Sequence, residues 1–127
     1  PRRTPTLAPP SRRAASANRY RNADIESIHV NPTRSSRVRG VETFYAGTAG
    51  RSLASSIQRE LVTRLKVRNR GVRFARFTVL VQTKCPAVLV ECGFMSNASE
   101  LARCKSNSYQ TSCALAIADG ITKYRWR

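Results

Sequence analysis

The sequence predicts an α/β protein: a twisted, mostly parallel sheet with helices on both faces. Three observations carry this. Val88-Leu89-Val90 is a short apolar run rich in β-branched residues, the composition of a strand buried on both sides. Leu53, Ile57, Leu61 and Leu65 recur at every fourth position, which gives a helix one apolar stripe. The strand-like and helix-like segments are interleaved, with no internal repeat and no linker dividing them. The 127 residues are enough for one domain with one modest core, and we read 1–127 as a single domain. A hydrophobic content of 41% excludes a disordered tail, and no apolar run is long enough to span a bilayer. No signal peptide is visible, and a start at Pro1 reads as a processed or truncated chain. The net charge of +16, from 23 Lys and Arg against 7 Asp and Glu, predicts attraction to polyanions. Charge alone does not choose between nucleic acid, anionic cell-wall polymers and a membrane surface.

Pro1 to Pro10 reads as an extended arm, and Ser11 as the cap of a short helix ending near Asn22. Asp24 to Asn31 alternates as a strand, with Ile25, Ser27 and His29 on one face and Glu26, Ile28 and Val30 on the other. Glu26 sets a charge where a covered sheet would be apolar, which points to an edge or an exposed face. Pro32 to Gly40 is a loop holding Arg34, Arg37 and Arg39, either a solvated turn or a steering site for an anionic fragment. Val41 to Ala46 is a second strand, and Gly50 to Leu65 is a core-packing helix. Val72 to Val81 reads as one strand or two short ones. Its Phe74 and Phe77 are expected in the core, although their interleaving with Arg73 and Arg76 also has the pattern of a nucleic-acid stacking platform. Ser96 or Asn97 caps a further helix, with Glu100 placed to complete a capping box. A last helix runs from about Tyr109 to Lys123 with Cys113, Ile117, Ile121 and Tyr124 as its inner stripe. Cys85, Cys92, Cys104 and Cys113 show no tight zinc-type spacing. Cys85 and Cys92 read as small core residues, and Cys104 and Cys113 as a pair that oxidation could join.

Two positions carry chemistry. Glu91 ends the buried strand just before Gly93, a placement typical of sites in α/β sheets, although an end-of-strand carboxylate that merely meets solvent has the same spacing. His29 is the single histidine, and by itself a lone strand-end histidine reads as structural. The surrounding residues are more specific. Pro86 to Asn97 together with Glu100 resembles the PAVLVExGFxSNxxE signature of the zinc-dependent N-acetylmuramoyl-L-alanine amidases of the Amidase_3 type. Ser27-Ile28-His29-Val30-Asn31 is similar to that family's SIHxN, and Arg13 to Asn18 with Ala23-Asp24 to its RxxxAN…AD stretch. Gly40, Glu42, Thr43 and Tyr45 fit its GxETxY strand. Asn69 to Val72 with Phe77 to Leu80 resembles NRGVK…fxVL, and Tyr109 to Tyr124 resembles its closing helix. Arg2 stands at the Arg of TRxxD, whereas Pro5 replaces its Asp.

The resemblance implies hydrolysis of the amide between N-acetylmuramic acid and L-alanine in peptidoglycan, with Glu91 as catalytic acid/base and His29 as a ligand of Zn²⁺; Asn31, Arg34 and Arg37, at and just past the end of the His29 strand, are the candidate substrate-binding residues. It implies a cell-envelope location, periplasmic or secreted. It also implies an N-terminal strand and helix with further zinc ligands that this chain lacks. The expectations that follow are impaired activity, and a homodimer or an additional segment over the open apolar face. The rival readings are a non-catalytic amidase-like binding or regulatory module and a basic nucleic-acid-binding protein.

Overall fold

The computed structural model describes residues 9–20, 23–32 and 35–126. Among them the elements run α1 (Pro10–Ala17), β1 (Ile25–Asn31), β2 (Val41–Tyr45), α2 (Thr48–Leu65), β3 (Asn69–Phe74), α3 (Thr78–Val81), β4 (Ala87–Phe94), α4 (Ala98–Lys105) and α5 (Asn107–Arg125). The four strands form one sheet in the order β1-β4-β2-β3. The β1–β4 and β2–β3 pairs are parallel and the β2–β4 pair is antiparallel, so the sheet is mostly parallel. Every residue of β4 is buried, which is why its sequence shows no polar alternation.

Period-2 geometry sends the residues of β4 to two cores. Val88, Val90 and Cys92 join Val41 under α2 and α5, against Leu53, Ile57, Leu61, Cys113 and Ile117. Ala87 and Leu89 meet Val79 and Leu80 of α3 on the other face, with Ile25 and Phe44 beside them. Helices therefore cover both faces, as the pattern predicts. The α2–α5 contact is close at Gly120, where a Cβ would lie 2.6 Å from the Cα of Ile57.

Four local expectations are corrected. Helix α1 begins at Pro10, after Pro9, and has no side-chain cap from Ser11; proline at the first helical position needs no N–H partner and presets φ. Thr78 to Val81 is a helical turn instead of a strand. The turn sends the neighbours Val79 and Leu80 into one core, whereas an extended chain would put them on opposite faces. Phe74 and Phe77 are 57% and 40% exposed, so they are not core residues; they lie edge-on to Tyr45 and Phe44. Asn97 caps α4 by accepting from the Glu100 N–H, but Glu100 does not close the capping box, because its carboxylate is engaged elsewhere.

The edge reading of Glu26 holds: β1 is an edge strand, and Ile28 beside it is 57% exposed. All four cysteines are free, with Cys92, Cys104 and Cys113 buried together and Cys85 partly exposed.

Candidate functional site

Strand pairing assembles the site. In the parallel pair β1–β4, His29 stands opposite Glu91, and in the antiparallel pair β2–β4, Glu42 stands opposite the same Glu91. Residues in register on neighbouring strands project from the same face, with Cβ atoms about 5 Å apart. His29, Glu91 and Glu42 thus form one row across three strands, at the C-terminal ends of β1 and β4. Ser27, two residues before His29, shares its face, and the Ser27 Oγ lies 2.7 Å from His29 Nε2. The imidazole itself is exposed.

Glu91 is 6% exposed, and its Oε2 is buried without a hydrogen-bond partner among the described residues. Burial, and then the charge of Glu42, push the Glu91 carboxyl up to about 7. A carboxyl in that range exists in both protonation states near neutral pH, as a group that accepts and returns a proton requires. Glu42 is also buried, but Arg70 Nε and Arg73 Nε each lie 3.4 Å from its Oε2. The Arg70 guanidinium in turn stacks on the buried Phe94 ring, 5.1 Å from its centroid. The two carboxylates of the row therefore differ. Glu42 is ion-paired, and Glu91 has no cation of its own among the described residues.

The turn after β4 is built around Glu100, a 3% exposed carboxylate. Its Oε1 accepts from the Gly40 N–H at 3.3 Å and from Arg103 at 2.8 Å, and its Oε2 accepts from the Phe94 N–H at 3.3 Å. Gly93 makes room for it, since a Cβ there would lie 2.8 Å from Glu100 Oε2 and 2.6 Å from Cys104 Sγ. Asn31 closes β1 opposite Phe94, and its carbonyl accepts from the Met95 N–H at 2.8 Å.

His29, Glu91 and Asn31 are thus brought to neighbouring strand ends. Arg37 lies exposed on the loop before β2, with no placement against Glu91, and Arg34 lies outside the described residues. Nothing in the sequence pattern joins Arg70 and Arg73 to Glu42, which fits the GxETxY strand. The Glu42-Thr43 alternation was a usable signal, but the identity of the neighbouring strands was needed to read it. A cavity of about 410 Å³, lined by Ala46, Phe74, Arg76 and Lys84 among others, lies at the opposite end of β4, beside Ala87.

Among the described residues, no three His, Cys, Asp or Glu side chains come together as a metal site. Those residues include every His, Cys, Asp and Glu of the chain.

A buried carboxyl in register with an exposed imidazole, at the strand ends of a mostly parallel sheet, is the candidate site of this α/β protein. The chain belongs to the N-acetylmuramoyl-L-alanine amidase family, Amidase_3, which matches residues 2–123. It is 43% identical over 115 residues to the protein YqiI of Bacillus subtilis, covering 87% of this chain and 54% of that protein. It is 41% identical over 102 residues to the N-acetylmuramoyl-L-alanine amidase LytC of the same organism, covering 77% of this chain and 21% of LytC. The crystal structure of an N-acetylmuramoyl-L-alanine amidase from Clostridium difficile 630 superposes with a TM-score of 0.88 at 35% identity, over 94% of this chain and 67% of that one. The chain thus spans about half the length of YqiI and about a fifth of LytC.

Proposed function

We propose that this chain is the part of a peptidoglycan amidase that carries the acid/base carboxyl and one donor for a catalytic zinc, and that it acts in the cell envelope. The observation that supports this most directly is the register of β1 against β4, which sets His29 beside Glu91 on one face. In this reading Glu91 takes a proton from the attacking water and returns it to the departing L-alanine nitrogen. The Glu42–Arg70–Arg73 group holds the neighbouring charge in place, and Asn31 and Arg37 bind the substrate.

Zinc, when bound, would polarise the amide carbonyl. A catalytic zinc takes three protein donors, and the described residues offer His29 without two companions. The residues of this chain therefore do not by themselves fit a catalytic zinc. The zinc reading requires donors from a further segment, or from another chain laid along the open β1 edge, where Ile28 is exposed. The same observation favours a second reading, a non-catalytic amidase-like module that keeps the fold without the metal.

The experiment is a zinc titration of the 127-residue chain with its His29→Ala variant, run beside release of L-alanine amino groups from purified peptidoglycan. Zinc binding that is weak in the chain and lost in His29→Ala supports the donor assignment. Zinc binding unchanged in His29→Ala removes it. Release of L-alanine amino groups by the chain or a longer form, lost in Glu91→Gln, supports the amidase reading; release that survives Glu91→Gln removes Glu91 from its role.

A further inference from the structure

Two basic stretches lie apart in the sequence, one around Arg37 and Arg39 and the other from Lys66 to Arg73. The fold joins them. The Val41 N–H donates to the Arg68 carbonyl at 3.0 Å. Gly40, at φ 112, lies so close to Arg68 that a Cβ there would come within 2.3 Å of the Arg68 carbonyl oxygen. The loop that carries Arg37 and Arg39 is pinned as well. Ser96 Oγ donates to the Ser35 carbonyl at 2.7 Å, Asn97 Nδ2 to the Ser36 carbonyl at 3.0 Å, and the Gly40 N–H to Glu100.

Arg37, Arg39 and Arg68 are exposed, and none has a carboxylate in ion-pair range among the described residues. Arg70 and Arg73 continue the series inward to Glu42, the register neighbour of Glu91. The result is a cationic rim on the loops at the end of the sheet where β4 finishes. A rim fixed by backbone hydrogen bonds loses less freedom on binding an anion than a mobile loop does. The planar guanidinium fork matches a carboxylate.

We propose that Arg37, Arg39 and Arg68 form a subsite for the free carboxylates of the peptide attached to the scissile amide, so that the site discriminates between stem peptides with free and with amidated carboxyl groups. The proposal rests on the amidase reading. It favours a carboxylate of the substrate over a separate polyanion because the chain from Arg68 leads directly to Arg70 and Arg73, which pair with Glu42, the register neighbour of Glu91. An anion held there belongs to the molecule whose amide lies at Glu91.

The test is binding of two soluble muramyl peptides to the 127-residue chain by calorimetry, one with free carboxylates and one with them amidated. The free form is expected to bind about tenfold more tightly at low salt. The Arg39→Glu/Arg68→Glu pair is expected to abolish this preference, and Arg37→Glu alone to reduce it. Arg51→Glu/Arg59→Glu, the same charge change on the exposed side of α2, is expected to preserve it. Equal affinity for the two peptides, no binding of either, or equal loss in the α2 pair would overturn the proposal. Release of L-alanine amino groups is scored separately. With release measured on a longer form that supplies the remaining zinc donors, preference without release counts against the amidase reading and leaves the carboxylate subsite standing, and release without preference does the reverse.

Discussion

Gly93→Ala reports on the scaffold behind Glu91. In a strand, replacing glycine with alanine gains about 0.5–1 kcal/mol from reduced backbone entropy. Here the new methyl would meet Cys104 Sγ at 2.6 Å and Glu100 Oε2 at 2.8 Å, both closer than non-bonded heavy atoms tolerate. Neither neighbour moves freely, since Cys104 is buried and the Glu100 carboxylate is tied to Gly40, Phe94 and Arg103. Overpacking of this kind costs about 1–3 kcal/mol, and each charged hydrogen bond displaced adds about 1.5 kcal/mol or more. The steric side wins, and a net loss of about 2–3 kcal/mol is expected in urea unfolding. Displacement of Glu100 also frees Gly40, so tryptic cleavage at Arg37 and Arg39 is expected to accelerate in native buffer, before global unfolding. Cys104→Ala in the same chain removes one of the two clashes, and the double variant is expected to recover at least about 1 kcal/mol relative to the sum of the single changes. A Gly93→Ala protein as stable as the parent, with unchanged tryptic protection of the loop, would refute the packing argument.

Three further outcomes are expected. Gly120→Ala, which in an open helix would stabilise by about 1 kcal/mol, is expected to destabilise by about 2 kcal/mol in urea, because the methyl meets the Ile57 backbone, which no side-chain rotation can move. Glu26, pushed up to about 7 first by burial and then by Asp24, penalises the fold once it must ionise. Stability is therefore expected to fall as pH rises from about 4.5 to about 7. Glu26→Gln is expected to gain about 1–2 kcal/mol at pH 8, discounted for partial exposure and for the coupling to Asp24, and nothing at pH 4. Denaturant midpoints at the two pH values check this. Tyr109→Phe, which removes a buried hydroxyl donating to the Cys92 carbonyl at 2.6 Å, is expected to cost about 1–2 kcal/mol in the same measurement.

Much of this architecture was legible in the residues. The continuous apolar run of β4 announced a strand buried on both faces, and the four-residue spacing in α2 announced a core helix, because burial periodicity is a local property of the chain. Asn97 as the cap of α4 was equally local. The misreadings occurred where tertiary packing overrode local pattern. Val79 and Leu80 have strand composition, but a helical turn buries both on one side. Phe74 and Phe77 are apolar yet lie at the margin of the sheet, where nothing among the described residues covers them fully.

Glu91 and His29 could be singled out from the sequence because each stands in a motif that resembles one of the amidase family, strand-end placement by itself being ambiguous. The residues around them could not, because the pairing of β4 with both β1 and β2 joins positions far apart along the chain. Pairing sets Glu42 against Glu91, where its charge adds to the larger effect of burial in raising the proton affinity of that carboxyl. Pairing of β2 with β3 brings Gly40 beside Arg68, and the fold adds the distant Gly40 N–H to the two local donors of Glu100, the Phe94 N–H and Arg103. Local composition determined most of the strands and helices, the segment Thr78–Val81 excepted, and which groups have useful chemistry. Only the folded chain decided which charges become neighbours, because electrostatic and steric coupling depends on distance in space and not on separation in sequence.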